Sequence, residues 1–175
     1  MHCLGICDSN LKLVDVNIGM PGRMHDANIY KNSPIYSKLN DKDAPLLNPQ
    51  HHLMGDNAYP NSNFMVTPYR NSGNLTYAQL RYNTILSSVR QVIERCFGLL
   101  KGKFRRLKYL DTDSHHSAND IIAACCVLYN FIIEMEGHED AEDIVISEEY
   151  ENNDDEEYAN VIETDKRLLF TTYFQ

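Results

Sequence analysis

What this 175-residue chain lacks excludes several classes of protein. No uninterrupted apolar run approaches the ~20 residues that cross a bilayer, so no membrane-spanning segment is expected. The opening stretch MHCLGICDSNLK has no basic leader and no long apolar core, so no secretory signal is expected. It begins instead as the middle of a domain does, with strand-forming residues and no lead-in. The five cysteines (Cys3, Cys7, Cys96, Cys125, Cys126) form no CxxC pair. That argues against a zinc ribbon and a disulfide framework, and for buried reduced thiols. The sequence contains no helix-turn-helix recognition module, zinc finger or internal repeat.

The most telling absence is of positive charge. Residues 134–165 hold 15 Asp/Glu and no Lys or Arg. Residues 1–133 hold 14 Lys/Arg against 10 Asp/Glu, a net of +4. The overall charge of -9 thus averages a mildly basic body and a strongly acidic tail, and only the body suits a phosphate backbone. The tail, residues 137–175, is strongly acidic with little periodicity and is expected to be disordered. Residues 1–136 form the expected domain, with hydrophobic content (43% over the whole chain) sufficient for a core.

Within that domain, residues 2–7 and 11–18 are rich in strand formers around an Asp8-Ser9-Asn10 turn, which predicts a β-hairpin closed by Pro21-Gly22. Asp26 stands at the cap or first turn of a helix running toward Leu39, interrupted at Pro34. Residues 52–56 and 64–66 read as short strands. Apolar residues from Leu75 through Tyr82, Leu86, Val89 and Ile93 to Leu100 recur at three- and four-residue steps, predicting a helix over 76–100. A second helix over 118–134 is apolar nearly all round and is expected to be buried on most sides. The order predicts an α/β fold with one mixed sheet.

Two carboxylates stand out. Asp56 ends a strand at Gly55-Asp56-Asn57, and a carboxylate there sits over the crevice where α/β proteins bind ligands. The plainer alternative is an aspartate that initiates a turn. Glu94 lies mid-helix between Ile93 and Phe97; if it faces inward, its charge must be paired or bound to a metal. Its plainer alternative is an ion pair with Arg90 one turn earlier. Phosphodiester chemistry uses acids in sets, because two divalent ions about 3.5–4 Å apart need oxygen ligands from several elements.

Pro21-Gly22-Arg23-Met24-His25-Asp26, Gly55-Asp56-Asn57-Ala58-Tyr59-Pro60 and Thr67-Pro68 resemble the PGxxHD, GDxxYP and TP signatures of PIF/Harbinger-type DDE transposases and the nucleases domesticated from them. So do Tyr82-Asn83, Arg90, Ile93-Glu94-Arg95, Phe97-Gly98, Leu100-Lys101 and Phe104-Arg105-Arg106-Leu107, in order over residues 1–133. The resemblance implies a ribonuclease-H-like core, a mixed sheet with flanking helices, whose Asp, Asp, Glu triad binds Mg²⁺ or Mn²⁺ and cuts DNA. Asp56 falls on the second Asp and Glu94 on the Glu. The strand carrying the first Asp has no counterpart, and neither Asp8 nor Asp15 matches its motif. The resemblance also implies a nuclear protein, with a cytoplasmic pool as a further expectation, and a separate Myb/SANT-like DNA-binding partner.

His25 and Asp26 are candidates to support the site from behind, although such a pair more often caps a helix. His51-His52 and His115-His116 are not spaced to share a tetrahedral site with any cysteine and are expected to be solvated or packing residues. Lys101, Lys103, Arg105, Arg106 and Lys108, interleaved with Phe104 and Tyr109, form a stripe suited to phosphate contact. A solvated helix end, where cations also favour the negative terminus, is its plainer alternative. The competing function is a non-catalytic module that binds DNA or a protein, or a fragment that does not fold stably.

Overall fold

The computed structural model describes residues 2–48, 50–110 and 114–136. The acidic tail lies outside them. The described residues fall into two compact units, 2–38 with 91–136, and 39–90.

The first unit is built on a hairpin. Strand β1 (His2–Cys7) pairs antiparallel with β2 (Leu13–Met20). The second arm starts two residues later than its composition predicts, because the turn extends to Lys12. The Asp8 carboxylate accepts hydrogen bonds from the amides of Asn10 and Lys12, each at 2.9 Å. Leu11 is held at φ 60 with its side chain buried. Its backbone carbonyl accepts from the Cys96 thiol at 3.3 Å. A non-glycine residue in the left-handed region costs of order 1–3 kcal/mol, here compensated by burial and the Asp8 cap. The helix expected from Asp26 is split at Asn32-Ser33 into α1 (Asp26–Lys31) and α2 (Pro34–Leu39), with Pro34 at the first position of the second piece.

The long helix α3 (Tyr77–Lys103) contributes its C-terminal part to this unit, and α4 (His115–Glu136) completes it. Leu11 and Leu13 from the hairpin, Val92, Cys96 and Leu100 from α3, and Cys126, Tyr129 and Ile133 from α4 form one buried cluster. All five cysteines are free thiols. Asn130 fixes α4 to β2 from both sides: its Oδ1 accepts from the Leu13 amide at 2.8 Å and its Nδ2 donates to the Leu13 carbonyl at 2.7 Å.

Helix α4 departs from expectation. It is long and apolar enough to cross a membrane by length and composition, yet one face is packed in the core just described. The opposite face is exposed, with Val127, Leu128, Phe131 and Met135 between 51% and 72% accessible. An all-round apolar helix needs cover on every side.

In the second unit, β3 (Leu53–Met54) pairs parallel with β4 (Met65–Val66). The first half of α3 supplies Tyr82 and Leu86 to a small cluster with Val66. Where the element order predicts a single mixed sheet, the described residues form a two-stranded antiparallel pair in the first unit and a two-stranded parallel pair in the second. Each strand of the second pair has two residues. The α/β class holds.

Candidate active-site residues and the basic stripe

Asp56 stands two residues beyond β3, and the backbone on either side explains its exposure. Gly55 is buried and its amide donates to the Val66 carbonyl at 2.9 Å. A Cβ at Gly55 would lie 2.8 Å from Met65 Sδ and 2.9 Å from Tyr59 Cδ2, so the close approach needs glycine. The chain then turns outward: Ala58 donates its amide to Asp56 Oδ1 at 2.9 Å, and Tyr59 donates to the Asp56 carbonyl at 3.2 Å. That turn is the plainer role foreseen for Asp56, and it occupies only Oδ1. The other oxygen, Oδ2, faces the Arg90 guanidinium at 3.6 Å, with the Asp56 side chain 39% exposed.

This partner was not foreseen from the sequence, which set Arg90 against Glu94. On a helix, an acidic residue preceding a basic one by four is the favourable order, and Arg90 before Glu94 is the reverse. The local pair is weak, and Arg90 turns to Asp56. Glu94 itself is exposed, and among the described residues no hydrogen bond or ion pair holds its carboxylate. The condition attached to an inward-facing Glu94 therefore does not arise. Its neighbours Ile93 and Phe97 are half-buried, while Glu94 points to solvent and bears no desolvation cost.

His25 and Asp26 sit at the start of α1. His25 occupies the cap position by its backbone, its carbonyl accepting the Asn28 and Ile29 amides, with no side-chain capping bond. Asp26, in the first turn, lies 3.8 Å from His2 Nδ1. A carboxylate there complements the positive end of the helix, so a structural role accounts for it.

The five basic residues form one exposed run. Lys101 and Lys103 are in the last turn of α3, and Arg105, Arg106 and Lys108 lie on the 3₁₀ turn Arg105–Lys108 that follows. Phe104 and Leu107 turn inward to the core of the first unit, while Tyr109 is 86% exposed. Alternation of inward apolar and outward basic residues pins the stripe to the protein without neutralising it. Lys103 is the exception, donating to Glu136 Oε2 at 2.6 Å. His116 lies 3.4 Å from Asp120, and His51 is exposed.

Asp56 and Glu94 offer oxygen atoms alone, the donor chemistry that suits Mg²⁺ or Mn²⁺ over zinc. No group of three or more His, Cys, Asp or Glu able to hold a metal ion occurs among the described residues.

Residues 1–130 match the model of the DDE superfamily endonuclease family, and the chain belongs to that family. Among curated proteins it is 31% identical over 144 residues to the putative nuclease HARBI1 of Homo sapiens, covering 77% of this chain and 38% of the relative. It is 30% identical over 141 residues to the same-named protein of Bos taurus, with the same coverage. Over 163 residues it is 25% identical to the ALP1-like protein of Arabidopsis thaliana, covering 87% of the chain and 40% of the relative. The chain thus spans about two fifths of the length of the curated relatives it matches. No solved structure matches it.

Proposed function

We propose that this chain supplies part of a divalent-metal-dependent DNA endonuclease or transposase catalytic domain, in which Asp56 and Glu94 are two of the metal ligands. The observation that carries this reading is the state of Asp56. It stands two residues beyond a strand in a member of the DDE family, and its turn uses one carboxylate oxygen and leaves the other facing the half-buried Arg90 guanidinium. Glu94 adds a second carboxylate that no local ion pair holds. Both are hard oxygen donors, and a bound Mg²⁺ or Mn²⁺ would activate a water or hydroxyl and stabilise the departing oxyanion. Lys101, Arg105, Arg106 and Lys108 would grip the phosphate backbone, with Lys103 available once its bond to Glu136 opens.

In this reading the fold is ribonuclease-H-like without its first strand. A lost central strand would leave a sheet divided into two short pairs, which agrees with the two two-stranded sheets. That strand, from outside this sequence, would bring the third carboxylate. The nucleus, with a cytoplasmic pool, and a Myb/SANT-like DNA-binding partner follow as the setting. The second reading is a non-catalytic DNA- or protein-interaction module. It is favoured by the missing group of three metal-binding side chains among the described residues.

Asp56→Asn tests the choice, because an asparagine oxygen still accepts the Ala58 amide and preserves the turn. The expected result is unchanged urea unfolding together with at least a tenfold loss of Mn²⁺ affinity by calorimetry. Mn²⁺-dependent nicking of supercoiled plasmid, where the parent chain shows it, is expected to disappear in the variant. Equal Mn²⁺ binding by parent, Asp56→Asn and Glu94→Gln would leave the interaction module as the better account.

A further inference from the structure

Three motifs have no part in the proposed chemistry: Tyr59-Pro60, Thr67-Pro68 and Tyr82-Asn83. In the second unit they meet. A cleft of about 420 Å³ opens beside the turn that holds Asp56, lined by Asn57, Tyr59, Asn61, Tyr69 and Arg70 and by the two prolines and Thr67. Its volume lies within the ~300–1,000 Å³ of small-molecule sites.

The lining is fixed where a binding wall needs to be. Tyr69 is pinned to α3 through its backbone: its amide donates to Asn83 Oδ1 at 2.8 Å, and its carbonyl accepts from Asn83 Nδ2 at 2.9 Å. Its ring meets Tyr82 edge-on, with centroids 5.3 Å apart and planes at 73°. Tyr82 in turn donates its hydroxyl to the Thr67 carbonyl at 3.5 Å. Across the cleft, Tyr59 and Asn57 ride on the Asp56 turn, tied by the Tyr59 amide and the Asp56 carbonyl. So the Tyr82-Asn83 pair builds one wall, and the Gly55-Asp56 turn builds the other.

The chemistry of the lining is selective. Tyr59 and Tyr69 bring aromatic surface to the lining, and the exposed Asn57 carboxamide brings a donor and an acceptor, whereas the Asn61 carboxamide oxygen is buried. Arg70 is the single formal charge among the lining residues and is exposed. No carboxylate lines the cleft, which disfavours cations. An aromatic group with hydrogen-bonding edges and an attached anion is a nucleotide. Its base must be unpaired, because only a base out of the duplex exposes both its face and its pairing edge.

We propose that this cleft takes one unpaired nucleotide of the DNA strand, its base against the tyrosines and the Asn57 carboxamide and its phosphate at Arg70. The inference rests on the reading of Asp56 as part of a DNA-cutting site, whose substrate it would hold beside the scissile bond. Base stacking on aromatic side chains favours binding by roughly 5- to 150-fold per base, and a shallow cleft belongs at the low end.

The test is fluorescence anisotropy with the full chain in Ca²⁺ buffer, using three labelled probes: a 12-mer single strand, a duplex with one bulged nucleotide, and the fully paired duplex. The single strand and the bulge are expected to bind at least fivefold tighter than the paired duplex. Asn57→Ala and Arg70→Gln, both at exposed positions, should erase that preference while paired-duplex affinity changes less than twofold. A mononucleotide should compete better than equimolar inorganic phosphate. Equal affinity for the three probes, variants that keep the preference, or phosphate competing as well as the nucleotide would each overturn the proposal. A chain that keeps the preference yet loses no Mn²⁺ binding in Asp56→Asn would retain the cleft and refute only the metal-ligand reading.

Discussion

Replacing Asn83 with alanine isolates the contribution of one side chain to the wall of the cleft. Asn83 makes two hydrogen bonds with the Tyr69 backbone, at 2.8 and 2.9 Å, in a part-buried setting. Each such bond contributes about 0.5–1.5 kcal/mol net, and a peptide group left without a partner costs more than that. Alanine returns up to about 0.7 kcal/mol as the better helix former. The net loss works out at roughly 1.5–2.5 kcal/mol, a visible fraction of the ~5–15 kcal/mol that holds a typical domain. With a urea dependence of ~1–3 kcal/mol per molar, the midpoint should fall by about 1 M. Thr84→Ala is the control. It sits on the same helix at an exposed position and bonds only to the Leu80 carbonyl one turn back, so its midpoint should hold or rise. Hydrogen exchange reads the mechanism directly, because the Tyr69 amide should lose protection in Asn83→Ala and keep it in Thr84→Ala. If the two variants melt alike and Tyr69 stays protected in both, the asparagine clamp is not what holds that wall.

Two further outcomes follow from burial. Cys126 is raised by burial from its ordinary 9.0 to about 12, and Tyr30, also by burial, from 10.0 to about 12. Both groups are neutral when protonated, so the folded state keeps protons that the unfolded chain releases. Stability is therefore fully present below pH 9 and falls as pH rises, from 9 to 12 for Cys126 and from 10 to 12 for Tyr30, by up to about 1.4 kcal/mol per unit for each group. Thermal melts across that range should show it, with a shallower fall in Cys126→Ala; a flat profile would contradict the burial of these side chains. On α4, Phe131→Gln should change stability by less than about 0.5 kcal/mol, since that side chain is 59% exposed. Ile133→Ala, at an 8% exposed position two residues on, should cost about 2–4 kcal/mol. Similar losses in both, measured by urea unfolding, would mean that the exposed face is covered in solution.

The elements written in local chemistry were legible, and those decided by distant partners were not. The Asp8 turn, the stop at Pro21-Gly22 and the break before Pro34 each depend on a few adjacent residues, and each stands within two residues of its expected place. Apolar spacing gave both long helices within three residues at each end. Periodicity cannot report what lies opposite a face, so α4 was expected to be buried on most sides while half of it is exposed. Sheet membership failed for a related reason: strand composition marks the strand, whereas its neighbours are set by chain from elsewhere. Asp56 and its exposure were legible from Gly55 and the turn behind it. The cleft was not, because Asn57, Tyr69 and Asn83 come together only through the Asn83 bonds to the Tyr69 backbone.

Arg90 brings these threads to one residue. As the partner of Asp56 Oδ2 at 3.6 Å, it holds by electrostatics the oxygen that the proposed metal would need. A partly exposed pair of this kind contributes about 0.2–1 kcal/mol, so the guanidinium competes with a cation without excluding it. Glu94, four residues further along α3, presents no such competition. Arg90→Gln removes the competing charge while leaving the Ala58 amide on Oδ1 and the turn intact. Mn²⁺ should then bind about 1.5- to 5-fold tighter by calorimetry at low salt, with the advantage shrinking as salt screens the pair. Unfolding should change by less than about 1 kcal/mol. If Mn²⁺ binds more weakly in Arg90→Gln, the arginine orients Asp56 for the metal and does not oppose it. If Mn²⁺ binding is unchanged in Arg90→Gln yet lost in Asp56→Asn, the 3.6 Å approach is a crossing of two solvated side chains with no hold on the site.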